Sequence, residues 1–180
     1  MESVATGEIA WTNLDGLHRA SLLELLDEHG VSPSPAEVEE MVRFWHRLDP
    51  WPDAPSGIRR LKQRYIIGTM SNGNVALLTN LAKHAGLEWD VILSAELAHR
   101  YKRDLDSYRH NVALLDRPMS SVMFVAAHPR ELERVAGLGM RTAFVERPTE
   151  YGDHGDVLQP GQEVDVACTG FGELASALGL

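Results

Sequence analysis

The chain has 180 residues and a formal net charge of −9, with 44% hydrophobic and 24% charged residues. That length accommodates one α/β core with a small accessory subdomain, and the acidic balance excludes a nucleic-acid partner, since no basic stripe exists to displace counterions from phosphates. Met1-Glu2-Ser3-Val4 lacks the basic and apolar regions of a secretory signal, no apolar run approaches the ~20 residues that span a bilayer, and the single cysteine, Cys168, forbids an internal disulfide, so the sequence reads as a cytoplasmic protein with no membrane partner.

In chain order, Leu14, Leu17, Leu22, Leu25 and Leu26 keep an approximate helical period, and His29-Gly30 supplies a stop. Ser34-Pro35-Ala36-Glu37 opens a second helix with an N-cap serine, proline at the first helical position and a capping-box glutamate. Its predicted apolar face is Val38, Met41, Val42, Trp45 and Leu48. Two short amphipathic helices cannot bury their stripes alone and need something to dock on. Asp49-Pro50-Trp51-Pro52-Asp53 ends this helical part, because two prolines forbid a continuous helix. The sequence therefore divides into a helical subdomain, 1–50, and a core, 51–180.

Past Pro52, short strands are predicted over 65–70, 91–94, 122–127, 142–145 and 164–168, separated by helices near 75–84, 105–115 and 130–138. This alternation predicts an α/β fold with a parallel sheet, right-handed crossovers and helices on both faces. Ligands of such sheets bind beyond the carboxyl ends of the strands. Val164, Val166 and Ala167 around Cys168 predict a buried, inert strand thiol.

The first strand runs into Ser71-Asn72-Gly73-Asn74, followed by the helix Val75-Ala76-Leu77-Leu78. A hydroxyl and amides at a helix start suit an anion, while Ser71 and Asn74 serving only as helix caps is an equal reading. Lys102, in Tyr101-Lys102-Arg103-Asp104, reads alone as a solvated charge, with Tyr108 six residues on and Asp104 placed to cap the next helix. The third strand ends at Ala126-Ala127-His128-Pro129-Arg130-Glu131. There His128 reads as a structural hydrogen-bonder or a catalyst, and Glu131 as a favourable first-turn acid or a site residue.

Taken in order, Ser-Asn-Gly-Asn, Tyr-Lys with a tyrosine six residues on, and an apolar strand ending in a polar turn with an acid resemble motifs II, III and IV of the haloacid dehalogenase (HAD) superfamily. The stretches Ser71 to Asn80, Ala126-Ala127-His128-Pro129 and Arg141 to Gly152 are similar to its type II 2-haloacid dehalogenase branch. So are Ile9-Ala10-Trp11-Thr12-Asn13-Leu14-Asp15 and Trp45-His46-Arg47-Leu48-Asp49-Pro50-Trp51-Pro52, in segments that resemble the family's cap. The resemblance implies a Rossmannoid parallel-sheet core with a partial helical cap. It implies hydrolytic cleavage of carbon–halogen bonds in short 2-haloacids through an aspartyl ester, with no cofactor and no metal.

By that resemblance, Ser71 binds the substrate carboxylate and Asn72 faces the departing halide, while Lys102 keeps the nucleophilic carboxylate charged and Tyr108 supports that cluster. His128 stands where many relatives have asparagine and Glu131 where they have aspartate, both near the lysine and the hydrolytic water. Ala126 replaces a water-positioning serine. Nothing in the chain matches the family's first core strand, which ends in Asp-x-x-Gly-Thr with the nucleophile. Asp15-Gly16-Leu17 begins a helix with no strand before it. The resemblance therefore implies a missing first core strand, from a late start or a deletion, and inactivity of the 180-residue chain alone. It also implies unpaired strands inside the sheet, open to pairing with each other or with a second chain, beside a homodimer formed through the cap. Two alternatives are a HAD-type phosphatase, against which the absence of an acid before Glu131 weighs, and a non-catalytic pseudoenzyme.

Overall fold

The computed structural model describes residues 1–152, 154–159 and 162–180. In chain order the elements are helices α1 (Glu2–Ala5), α2 (Leu14–Glu28) and α3 (Pro35–Val42), a 3-10 turn at Arg43–Arg47, and α4 (Ala54–Leu61). Then come β1 (Gly68–Ser71), α5 (Val75–Ala85), β2 (Val91–Ser94), α6 (Ala95–Ala98) and α7 (Leu105–Ala113). A short 3-10 turn (Met119–Ser121) leads into β3 (Met123–Ala126), α8 (Pro129–Ala136), β4 (Arg141–Val145), β5 (Val166–Cys168) and α9 (Phe171–Ala177). They group into two compact units, Met1–Pro50 with Gly68–Ser107, and Trp51–Ile67 with Tyr108–Leu180.

In the first unit, β1 and β2 pair in parallel with Gly68 opposite Val91 and Ser71 opposite Ser94. Gly68 permits this approach, because a Cβ there would stand 2.7 Å from Val91 Cγ1. The α5 helix ends on Gly86 in the left-handed conformation (φ 64°), a position that favours glycine. The α2 helix starts as the sequence predicts, with Asn13 Oδ1 accepting from Gly16 N, and stops at His29. The α3 helix opens with the predicted capping box, in which Ser34 Oγ accepts from Glu37 N while the Glu37 carboxylate accepts from Ser34 N.

The apolar face predicted after α3 is only half correct. Val38 and Val42 are buried, but Trp45 and Leu48 are about half exposed. The chain tightens at Arg43 from 3.6 to 3.0 residues per turn, so the α-helical period no longer points those side chains inward and His46 turns in instead. The first predicted strand also shifts, to Gly68–Ser71. The segment before it is a helix exit, in which Tyr65 N donates to Leu61 O, Tyr65 Oη donates to Leu178 O and Ile66 is exposed.

In the second unit, β3, β4 and β5 form a parallel sheet with Phe124 opposite Thr142 and Phe144 opposite Ala167. Its core comprises Leu61, Ala143, Val145, Cys168, Leu174 and Ala175. Leu132, Val135 and Leu174 are fully buried, each contributing on the order of 1.5–3 kcal/mol by leaving water. Cys168 is the buried strand thiol expected; its Sγ lies 3.4 Å from Phe144 O, and burial raises its pKa. Helices α4 and α9 pack at close range, since a Cβ on Gly57 would lie 2.2 Å from Phe171 Cβ. The fold is thus α/β with parallel strands flanked by helices, as the sequence implies. Among the described residues the strands form a two-stranded sheet, β1-β2, and a three-stranded one, β3-β4-β5.

Candidate functional site

The expected site residues fall into two groups, one in each unit. In the first, β1 delivers Ser71 to its carboxyl end and the chain turns through Asn72 and Gly73 into α5. Ser71 Oγ accepts from Gly73 N at 3.0 Å, which leaves the hydroxyl proton available for donation. Asn72 Oδ1 accepts from Lys102 N at 2.8 Å, tying the turn to the loop after α6. The other side of that amide, Asn72 Nδ2, lies 3.5 Å from Met1 Sδ. Gly73 O accepts from the buried Ser94 Oγ at 2.6 Å. The loop that carries Lys102 is held by aromatics: Trp11 stacks on His99 at 5.3 Å and leans on Tyr101 at 4.9 Å, whose Oη donates to Thr12 O.

The helix-start amides are less open to an outside anion than the sequence implies. Glu96 Oε2 accepts from Val75 N at 2.8 Å, and Asn13 Nδ2 donates to Glu96 Oε1. A resident carboxylate therefore already sits at the positive end of α5. Nor does the Asn74 side chain cap the helix; its Nδ2 donates to Asp15 Oδ2 at 2.9 Å. Asp15 also receives His46 Nε2, 3.1 Å from each carboxylate oxygen, and Asn80 Nδ2 lies 3.0 Å from His46 Nδ1. With the Asn80 amide donating, the ring carries its proton on Nε2 and gives it to Asp15. Asp15 thus lies in the first turn of a helix, engaged by two donors. Sequence reasoning missed this set because its members lie far apart in the chain. An open cavity of about 350 Å³ in this unit is lined by Arg43, His46, Arg47, Asn80, Lys83 and His84, none of them an expected site residue.

In the second unit, Tyr108 is 1% exposed; it donates through Oη to Glu131 Oε1 at 2.7 Å and meets Phe124 edge-on at 5.7 Å. The structure thus joins two residues that the sequence proposes separately. Glu131 lies in the first turn of α8, and its backbone N donates to His128 O. His128 occupies the N-cap position, but its ring does not cap the helix. Nε2 lies 3.0 Å from Glu150 Oε1 and 3.1 Å from Tyr151 Oη. The Thr149-Glu150-Tyr151 stretch belongs to the segment that carries the resemblance, yet gave no sign of this role. Among the described residues no cluster of three or more His, Cys, Asp or Glu side chains is placed to hold a metal ion, and no helix is long and apolar enough to cross a membrane.

Two phenols carry a pH signature. Burial, then Glu96, pushes Tyr101 up to about 12, and burial, then the bond to Glu131, pushes Tyr108 higher still. Between pH 10 and 12 the unfolded chain loses these protons while the folded chain keeps them. The stabilisation is therefore complete below pH 10; the Tyr101 part is lost as pH rises through that window, and the Tyr108 part goes on falling above it. Near-ultraviolet titration of the four tyrosines is expected to show two ionising only together with alkaline unfolding. All of them ionising near pH 10 with the circular dichroism unchanged would contradict this placement.

A family model for haloacid dehalogenase-like hydrolases matches residues 2–126. The crystal structure of an L-2-haloacid dehalogenase is 41% identical, with a TM-score of 0.95 over 99% of this chain and 77% of that one. A defluorinating L-2-haloacid dehalogenase is 38% identical, with a TM-score of 0.93 over 99% of this chain and 74% of that one. The (S)-2-haloacid dehalogenase of Xanthobacter autotrophicus is 28% identical over 136 residues, covering 73% of this chain. The chain spans 53%, about half, of that curated relative. The ordered Ser-Asn-Gly-Asn, Tyr-Lys and strand-end motifs, the parallel α/β fold and the family match agree, and the chain belongs to the haloacid dehalogenase-like hydrolase family.

Proposed function

We propose that this chain carries the substrate-holding and supporting side chains of a 2-haloacid dehalogenase, which hydrolyses the carbon–halogen bond of short 2-haloacids through an aspartyl ester. The observation that carries the reading is the tied turn after β1, where Ser71 Oγ accepts from Gly73 N and the neighbouring Asn72 Oδ1 accepts from the backbone of Lys102, in a family whose similar members bear that name. Ser71 donates its hydroxyl proton to the substrate carboxylate. Asn72 turns its amide nitrogen to the leaving halide, and Lys102 holds a nucleophilic carboxylate in its charged form. No residue of this chain is assigned as that nucleophile. Tyr108 fixes Glu131, and Glu131 and His128 serve the water that opens the ester.

The same reading places a helical cap at 1–50 and the core at 51–180, in a cytoplasmic protein without a metal cofactor. Exposed Leu23, Leu25, Phe44, Trp45 and Leu48 in the helical segment support a homodimer.

Titration with 2-chloropropionate, followed by backbone amide shifts, is expected to perturb Ser71, Asn72 and Gly73. Ser71→Ala is expected to weaken binding about tenfold or more, since a hydrogen bond to a charged group contributes about 1.5–3 kcal/mol. Amide shifts confined to other parts of the chain would count against the reading, as would release of phosphate from a phosphomonoester with Mg²⁺ in place of halide release.

A further inference from the structure

We propose that the cavity between the 3-10 turn at Arg43–Arg47 and helix α5 binds a phosphate dianion, free or carried on a small organic molecule. This site is distinct from the turn at Ser71 and does not depend on the reaction proposed there. The cavity, about 350 Å³, is lined by Arg43, His46, Arg47, Asn80, Lys83 and His84. Two elements bring these residues together. In the 3-10 turn, three residues per turn set Arg43 in line with His46. On α5, Asn80, Lys83 and His84 stand at i, i+3 and i+4, hence on one face. The volume falls at the small end of the roughly 300–1,000 Å³ of small-molecule pockets, which suits a metabolite rather than a polymer.

The lining has one sign. Arg43, Arg47 and Lys83 are permanent cations, His84 becomes a fourth when protonated, and no carboxylate lines the cavity, although the chain carries a net charge of −9. The Arg43 guanidinium and the Lys83 ammonium make no hydrogen bond or ion pair among the described residues. Glu39, the acid whose charge Arg43 feels, is taken by Arg19, whose Nε and Nη2 both donate to it at 2.7 Å. Arg47 and His84 do have partners, Glu40 at 2.6 Å and Asp49 at 3.3 Å, but both pairs face solvent. Such pairs contribute little, and a ligand of higher charge displaces them. Several cations around one cavity match a doubly charged phosphate better than the single charge of a 2-haloacid, and guanidinium groups grip its oxygens in pairs. The aliphatic stems of the arginines and the lysine supply an apolar wall for an organic body.

Part of the wall is fixed before any ligand arrives. His46 is 6% exposed, and both ring nitrogens are engaged, Nδ1 by Asn80 and Nε2 by Asp15. Ordering it therefore adds nothing to the cost of binding. With Asn80 Nδ2 turned to His46, Asn80 Oδ1 accepts from a hydroxyl of the ligand. Lys83 and His84 occupy the last turn of α5, where the helix dipole favours cations, so side chains and not main-chain amides hold the anion.

Amide spectra of the isotope-labelled full chain test the site, with inorganic phosphate in one arm and glycerol phosphate in the other, at constant ionic strength and without Mg²⁺. Saturable shifts are expected at Arg43, Arg47, Lys83 and His84 and at the Asn80 side-chain amide, with a Kd of about 1 mM or tighter. Tighter binding of the ester assigns an organic phosphate as the ligand, and equal or weaker binding assigns the free ion. The monoanion 2-chloropropionate is expected to leave these signals in place. Lys83→Met keeps the stem and is expected to weaken phosphate binding about three- to fivefold, and Lys83→Met with Arg43→Gln about tenfold or more. Both positions are exposed, so the thermal melt is expected to stay that of the wild type. Shifts spread evenly over cations elsewhere, such as Arg59 and Arg117, overturn the site, as does an affinity unchanged in the double variant.

Discussion

Replacing Asp53 by alanine is expected to destabilise the protein by about 3 kcal/mol, because it strands a buried cation. Arg147 is 8% exposed, and its guanidinium lies 5.0 Å from the Trp51 ring centroid and 5.5 Å from that of Phe171. Asp53 Oδ2 accepts from Arg147 Nη2 at 3.1 Å and from Phe171 N at 2.8 Å. The substitution removes both bonds and leaves the guanidinium among rings and apolar neighbours. The two cation–π contacts persist and offset part of the loss, and the partial exposure of Asp53 admits some water. The expected cost therefore lies at the low end of the range for breaking a buried pair. For a chain of this size it corresponds to roughly 10 °C in Tm, readable in a thermal melt.

The pH dependence has a definite sign. Burial alone raises the Asp53 carboxyl, but the Phe171 amide and Arg147 outweigh it and hold its pKa below the ordinary 3.8. The unfolded state thus binds its proton first as pH falls. The stabilisation is present above pH 3.8 and is lost as pH drops through the folded value. Asp53→Ala should lose this part of the acid sensitivity. A variant that melts within about 1 kcal/mol of wild type would show that the pair contributes little beyond the rings around it.

What the sequence made legible was local. The capping box at Ser34, the His29-Gly30 stop after α2 and the alternation of strand and helix past Pro52 each depend on residues within a turn or two of one another. Sequence patterns read such features well. The same holds for Asp104, whose Oδ1 accepts from Asp106 N at the start of α7 as expected. The strand-end residues were proposed because parallel strands deliver their loops at the carboxyl ends and because their order along the chain resembles a family pattern; the structure joins Asn72 to the backbone of Lys102 and Tyr108 to Glu131. What escaped was long-range pairing between polar side chains. Glu96 reaching Val75, Asp53 reaching Arg147 and Glu150 reaching His128 carry no periodicity and no spacing rule. The error at Trp45 has a related cause: a helix that tightens into a 3-10 turn changes its period without a change of composition, and the inward position passes to His46.

Asp15 tests that distinction. Its sequence context, an acid two residues after Asn13 and directly before a glycine, invites a catalytic reading, whereas its bonds are those of a structural acceptor. Asp15→Ala is expected to cost about 3 kcal/mol. Two donors, His46 Nε2 and Asn74 Nδ2, lose their acceptor in positions where His46 is 6% and Asn74 3% exposed, and each buried donor left alone costs about 1–3 kcal/mol. Asp15→Asn retains the shape but has one acceptor oxygen for two donors, so it should lose about half as much. The loss should also reach the turn. Asn74 is the N-cap residue of α5 and follows Ser71-Asn72-Gly73, so without Asp15 the amides of Gly73 and Val75 are expected to exchange faster with solvent than those of β4. A nucleophile kept in a strained, charged site behaves oppositely, since its removal tends to leave stability unchanged or raise it. Thermal melts of the two variants, read beside amide exchange at the turn, therefore separate the roles. Unaltered stability with unaltered exchange would overturn the structural role of Asp15.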